Sequence, residues 1–324
     1  MIKYTISLVL AFCVYSHSYA QQLPLFTQSQ DYIGIINPAA ISNNFLLHDL
    51  PMSIGATYRR QWTGFENAPQ TQTIRFDLIN PNAGGKFKLL TGGHIMNDQT
   101  GPTGMTGVYG KIGAVLSEDP SSGGFSAALS AGVSQYRVDA SKFRARDLND
   151  VLTTGSQSKI LPDVGLGLYY FKRLNGGFFD DDWVSGGVSV PQVFGLNLNY
   201  KTEKGEYNIQ RIQHIYANAS WIHFTDRDRE TYLQPSVMFK YAPNAPLNAD
   251  INLRYQFNPA FFLGLGSSTG GNFHAETGFN IGEDMGLAGM LRLGYSFDYA
   301  FSNFGPYAGS THELNVVYAF GNNN

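Results

Sequence analysis

Past residue 50 the chain alternates apolar and polar side chains in stretches of about ten residues, separated by clusters of Gly, Pro, Asn, Asp and Ser. That is the pattern of transmembrane strands. Ala249, Ile251, Leu253, Tyr255 and Phe257 share one face of such a stretch, against Asp250, Asn252, Arg254 and Gln256 on the other. Leu287, Leu291, Leu293, Tyr295, Phe297 and Tyr299 oppose Arg292, Ser296 and Asp298 in the same way. In water, each apolar face would need a second layer to cover it. In a bilayer, lipid covers that face and closure into a barrel satisfies the backbone hydrogen bonds. Helical periodicity is nearly absent. A slightly negative mean hydropathy excludes a bundle of membrane-spanning helices, because each span would add about 20 apolar residues.

The alternation predicts strands at 52–63, 70–80, 86–97, 104–117, 123–138, 160–173, 184–190, 210–224, 231–242, 248–258, 260–268, 272–282, 287–299 and 311–320. The expected fold is therefore all-β: a transmembrane antiparallel β-barrel of about 14 strands, an even number as single-chain outer-membrane barrels require. In the last strand, Leu314, Val316, Tyr318 and Phe320 fall on one face, with aromatics where an interfacial girdle would sit. Residues 140–159 lack alternation and read as a long external loop with room for a short helical turn. Residues 194–209 are a second expected loop. The barrel is assigned to 51–321, and 21–50, with Asn37-Pro38-Ala39-Ala40 as a turn, to either a lumenal plug or a periplasmic segment.

The first twenty residues combine Lys3, a short apolar run from Ile6 to Tyr15, and Ser18-Tyr19-Ala20, a small-x-small cleavage pattern. They read as a secretory signal peptide cut at about Ala20, leaving Gln21 first. Cys13 follows Phe12 inside the apolar run, which disfavours a lipoprotein reading. It is the only cysteine, so the mature chain is expected to form no disulfide. Charged residues make up 15% of the chain, below the ~25% usual for soluble proteins. The net charge of −3, or −4 once Lys3 is removed, offers no basic field for a phosphate backbone, so nucleic acid is not an expected partner.

Few motifs suggest chemistry. The glycines from Gly264 to Gly271 lead into another alternating strand, so they mark a hairpin turn rather than a dinucleotide loop. His312 and Glu313 point to opposite strand faces, and His274 and Glu276 share a face without a third ligand, so no metal site is expected. Asp180-Asp181-Asp182 reads as a solvated loop before an external cation site. No Gly-x-Ser-x-Gly elbow introduces a hydrolase. No enzyme activity and no cofactor are therefore expected. On the first strand, Arg59 and Gln61 share a face with Thr57, while Arg60 and Trp62 share the other with Tyr58. A plug-anchoring or girdle role is preferred for Arg59, Arg60, Gln61 and Trp62 over direct partner contact, with Arg75 and Asp77 expected to join Arg59 across the strand pair.

Three blocks carry a family resemblance. They are Gln30-Asp31-Tyr32 with Ile36-Asn37-Pro38-Ala39; Tyr58-Arg59-Arg60-Gln61-Trp62-Thr63-Gly64-Phe65 with Ala68-Pro69 and Thr71; and Gly294-Tyr295-Ser296-Phe297-Asp298 with Gly309-Ser310-Thr311-His312-Glu313-Leu314. Together they resemble the PorP/SprF outer-membrane proteins of the type IX secretion and gliding machinery of Bacteroidetes, with Thr311 inserted into the usual Ser-His pair. The resemblance implies an outer-membrane protein in contact with lipid, with type IX secretion components and with a secreted cargo or adhesin bearing a C-terminal sorting domain. It implies a partner and no reaction. Arg59, Arg60, Gln61, Trp62, Asn37 and Pro38 are the candidate plug or partner contacts. Asn37-Pro38-Ala39 is also similar to the hatch of FadL-type transporters, which makes a transporter of a small hydrophobic solute the rival expectation. An outer-membrane hydrolase is the least supported reading.

Overall fold

The computed structural model describes residues 26–80, 85–142, 156–176, 179–202, 205–282, 285–301 and 305–321. The leader, its cleavage point and most of the expected 140–159 loop lie outside the described residues. Sixteen strands follow in chain order: β1 (Met52–Arg60), β2 (Gln70–Asn80), β3 (Phe87–Thr100), β4 (Thr103–Leu116), β5 (Gly123–Val138), β6 (Gln157–Gly176), β7 (Phe179–Val190), β8 (Leu196–Thr202), β9 (Gly205–Arg211), β10 (Ile215–Phe224), β11 (Tyr232–Tyr241), β12 (Asn248–Asn258), β13 (Phe261–Ser268), β14 (Asn272–Ile281), β15 (Met290–Ala300) and β16 (Thr311–Phe320). Fourteen close into an antiparallel barrel in chain order, with β10 succeeding β7 and β16 pairing with β1. The closing register runs from Met52↔Phe320 to Arg60↔His312.

The remaining two strands, β8 and β9, form a separate hairpin. It replaces the second expected loop and takes the start of the expected 210–224 strand, so β10 begins only at Ile215. The hairpin forms because Leu198 and Tyr200 share a face that buries against Val138, Tyr136 and Leu161 where β5 and β6 extend beyond their neighbours. That extension also moves the start of β6 back to Gln157, inside the first expected loop, while a single 3-10 turn at Ala140–Lys142 follows β5.

Side chains sort by the period of two. Ile54, Ile74, Val108, Ile112, Ile251 and Leu314 are exposed on the outside, where lipid covers them. Ser53, Thr57, Arg59, Thr73, Arg75, Lys111, Asn252, Arg254, Glu276, Arg292 and Glu313 are buried facing in. One end of the barrel carries compact connections, among them 117–122 and 259–260, and also the C-terminal end of β16. The other carries 61–69 and the β8–β9 hairpin, and the long intervals between β5 and β6 and between β15 and β16 begin there. Barrels place their longer connections outside the cell, so the second end is the outer one.

Residues 26–50 lie inside the barrel and run from its outer half towards the short-turn end. They include two short helices, α1 (Ile33–Ile36) and α2 (Asn43–His48). Ser42 caps α2 by accepting from the Phe45 N–H at 3.4 Å, and Asp49 ends it in the left-handed conformation. Ile36, Ile41, Phe45 and Leu46 then bury against Ile79, Leu90, Val115, Phe171, Trp183, Phe224 and Tyr232, near the short-turn end of the wall. Burial of Phe45 and Leu46 contributes about 1.5–3 kcal/mol each.

Higher up, the Asn37 Nδ2 donates to the Leu168 carbonyl at 3.0 Å, Ser189 Oγ to the Ile36 carbonyl at 2.9 Å, and Ser126 Oγ to the Ala39 carbonyl at 2.5 Å. Gly167 and Gly187 make this approach possible, because a Cβ on Gly167 would overlap Asn37 Oδ1 and Pro38, and one on Gly187 would crowd Asn37 Nδ2. A Gly167→Val barrel is expected to assemble with residues 26–50 displaced. Planar-bilayer recording should then show a conductance several-fold above the wild type, and cleavage within 26–50 by added protease should rise in parallel.

Candidate functional site: the lumen and its outer vestibule

Fixed charges line the lumen in clusters, and residues 26–50 enter two of them. Asp31 sits between Arg292, whose NH1 donates to Oδ1 at 2.6 Å, and Arg254, whose NH2 donates to Oδ2 at 3.0 Å. Arg254 also grips Glu276 at 2.9 and 3.1 Å, Arg292 donates to Asn280 at 3.0 Å, and both guanidiniums lie over the Phe262 ring. Burial opposes ionisation of Asp31, but the two guanidiniums outweigh it and hold the carboxyl well below the usual carboxylate range.

The second cluster is nearer the outer end. Arg59 bridges Asp298 at 2.6 Å and Glu313 at 3.0 Å and contacts Thr27. Thr27 donates its N–H to Glu313 at 2.9 Å and its hydroxyl to Asp298 at 2.8 Å, and the Gln28 N–H also reaches Glu313 at 3.2 Å. Arg75, Asp77 and Lys111 form a third cluster beside Gly34. Arg59 does not join it, contrary to the sequence expectation. Arg75 is paired with Gly55, four residues from Arg59 and so about 13 Å away along the strand, beyond the reach of a direct ion pair. In a fourth cluster, Arg211 at the end of β9 makes a bidentate pair with Asp163 at 2.9 and 3.1 Å and donates to the Phe194 carbonyl, tying the β8–β9 hairpin to the wall.

Above residues 26–30 the lumen opens into a vestibule of about 650 Å³ on the outer side. Phe26, Thr27, Ser29 and Gln30 form its floor, and Arg59, Gln61 and Trp62 are among its wall residues. The candidate residues therefore divide. Arg59 faces in and contacts the N-terminal segment, while Asn37 and Pro38 meet β6 and β7 lower down. Gln61 and Trp62 stand at the vestibule rim, and Arg60 points outward.

Trp62 has a φ of 53°, and its N–H donates to Thr311 Oγ1 at 3.3 Å. The Thr63 and Gly64 N–H groups donate to the carbonyls of Ser310 and Ala308, each at 2.9 Å, so the two motif loops brace each other above the closing seam. Inserted Thr311 turns inward. Ser310 and His312 still meet at 2.8 Å on the other face. Sequence reasoning missed Asp31, Arg254, Arg292 and Glu276 as a connected set, although the inward phase of the last three on the alternating strands was visible. Asp181 forms ion pairs with Arg173 and Arg229, and Asp182 accepts from Trp221 Nε1 at 2.9 Å and meets His223 Nδ1 at 2.8 Å, so these two aspartates are held by side chains rather than free in a solvated loop. Among the described residues no group of three or more His, Cys, Asp or Glu is placed to hold a metal.

With the geometry in place, the comparisons identify the lineage. The pattern of the type IX secretion system membrane protein PorP/SprF matches residues 18–318. The chain belongs to the PorP/SprF family. That membership and the closed barrel place it in the outer membrane, in association with type IX secretion components. No curated protein matches the chain.

Among solved structures, a TodX deltaS2S3 mutant monoaromatic hydrocarbon channel is 11% identical, with 89% of this chain and 94% of that one covered at a TM-score of 0.53. The CymD monoaromatic hydrocarbon channel is 8% identical, with 88% and 91% covered at 0.50. A Pseudomonas aeruginosa FadL homologue is 8% identical, with 83% and 90% covered at 0.47. At these identities the PorP/SprF chain shares a fold with the hydrocarbon channels and nothing finer.

Replacing Asp31 with Ala is expected to loosen the lumenal segment by about 3–5 kcal/mol, because two buried guanidiniums would then share one carboxylate. The heat-modifiable mobility of the barrel in detergent should fall to a lower transition temperature. Because the folded-state Asp31 carboxyl lies below its unfolded value of about 3.9, its stabilisation is fully present above that pH and is lost as pH falls through the folded value. The wild-type transition should therefore hold from neutral pH to about pH 5 and drop only in stronger acid, whereas Asp31→Asn should show a smaller drop there, lacking the part that Asp31 contributes.

Proposed function

We propose that the barrel is a closed, non-catalytic anchor in the outer membrane that assists secretion or surface attachment of a cognate type IX cargo or adhesin with a C-terminal sorting domain. The observation that carries this reading is the contrast between the two ends. Residues 26–50 occupy the lumen below the vestibule and pack an apolar cluster across its short-turn end, while the outer end presents braced motif loops and a hairpin. In this reading residues 26–50 act as a plug, and the 61–69, 139–156, 191–214 and 301–310 connections offer the contact surface. Arg60 and Trp62 stand at its rim, and Arg59, Asn37 and Pro38 hold the plug beneath it.

Transport of a small hydrophobic solute is the second reading, favoured by the fold shared with the monoaromatic hydrocarbon channels. The vestibule argues against it. Arg59, Asp98, Lys240, Asp250 and Asp298 line the entrance, and an apolar solute would gain little by displacing the water that hydrates them.

Two strains test the proposal: a gene deletion, and a variant in which a tight turn replaces residues 196–211. Cognate cargo on the cell surface should fall at least ten-fold in the first and several-fold in the second, with barrel levels in the second unchanged. Wild-type surface cargo in both strains would refute the proposal. Toluene uptake by proteoliposomes should not exceed that of empty liposomes.

A further inference from the structure

The outer vestibule has a composition that neither anchoring nor plugging requires. Its cations are already matched: Arg59 by Asp298 and Glu313, Lys240 by Asp250, and Arg211 by Asp163. Two charges remain outside such pairs, Arg137, which bonds Asn97 and Thr106, and Asp98, which accepts from Thr71, and their signs cancel. Arg59 faces one carboxylate in excess, which the Thr27 and Gln28 N–H groups and the Thr27 hydroxyl meet, so each of these charges already has a polar partner on the protein.

The wall is rich in uncharged hydrogen-bonding groups. Gln30 on the floor, Ser236 on β11 and His274 on β14 all line the cavity and are at least nine-tenths buried. Their side chains have no hydrogen-bond partner among the described residues. A buried amide, hydroxyl and imidazole left open in this way hold donors and acceptors ready for an occupant, since such groups are normally paired. Ser268 and Asn272 add further polar groups on the same side of the cavity. Across from them, Met105, Tyr136, Val138, Leu198 and Tyr200 supply an apolar and aromatic surface.

We propose that this vestibule is an outward-facing binding site for a neutral, hydroxyl-rich ligand, a saccharide of roughly two to three rings, a size suited to a small-molecule cavity. The sugar's apolar ring face would lie against the Tyr136–Tyr200 side, and its hydroxyls would pair with Gln30, Ser236 and His274. An apolar solute would leave those three groups unpaired, and a charged one would find the cavity's charges already partnered by the protein. The site is independent of cargo attachment, so either reading can fail without the other.

The full-length barrel, purified in lauryldimethylamine oxide so that no sugar-headed detergent competes, is titrated by calorimetry with maltotriose, cellotriose and tri-N-acetylchitotriose. Trigalacturonate and a capped neutral tripeptide serve as comparators. Saturable binding of at least one neutral trisaccharide is expected, weakened at least ten-fold in His274→Phe and in Ser236→Leu. Both variants are first shown by heat-modifiable mobility to be folded. Binding of trigalacturonate or the peptide alone, of no probe at all, or of a neutral trisaccharide with unchanged affinity in both folded variants, overturns the proposal.

Discussion

Burial of charge inside a closed barrel is the constraint around which the rest of this structure is arranged. The strands place Arg254, Arg292 and Glu276 within reach of one another, one cation in excess, and Asp31 arrives from the N-terminal segment to balance them. Nearer the outer end the imbalance is reversed. Arg59 faces two carboxylates, and the segment answers with the backbone N–H groups of Thr27 and Gln28 and a hydroxyl. Residues 26–50 thus supply negative charge where the wall is positive and donors where it is negative. A buried charge without such compensation would destabilise the fold by several kcal/mol.

The lumen consequently has two tiers with different physics. Near the short-turn end, α2 and its flanks bury Ile41, Phe45 and Leu46 against wall aromatics, a non-directional contact that excludes water. Above it, specific ion pairs fix the position of the segment, and above those the vestibule remains open to the outside. A barrel built this way has a packed floor beneath its outer mouth.

Much of this was legible in the sequence because a strand's period of two survives in the residues themselves. The face carrying Asp250, Asn252, Arg254 and Gln256 was assigned correctly as the counterpart of a lipid-facing row, and the fourteen barrel strands follow the same reasoning. The β8–β9 hairpin reads as a loop in the sequence although Leu196, Leu198 and Tyr200 alternate with polar residues. What makes it a hairpin is packing against the β5–β6 extension, a tertiary contact that no local pattern announces. Asp31 was visible only as part of a motif. Its partners lie 223 and 261 positions away, and only the closed ring of strands brings them together.

The direction in which the segment runs has a consequence for how such a molecule comes into being. Phe26 borders the outer vestibule, and the chain descends from there before turning into β1 at the opposite end. Once β1 and β16 have zipped, the segment is enclosed by a wall without a gap, and its leading end faces away from the compartment in which the strands assemble. Lateral closure around a segment already in place needs no threading, whereas filling a finished barrel does. The seam between the first and last strands is thus the place where a wall could close around its contents without threading them.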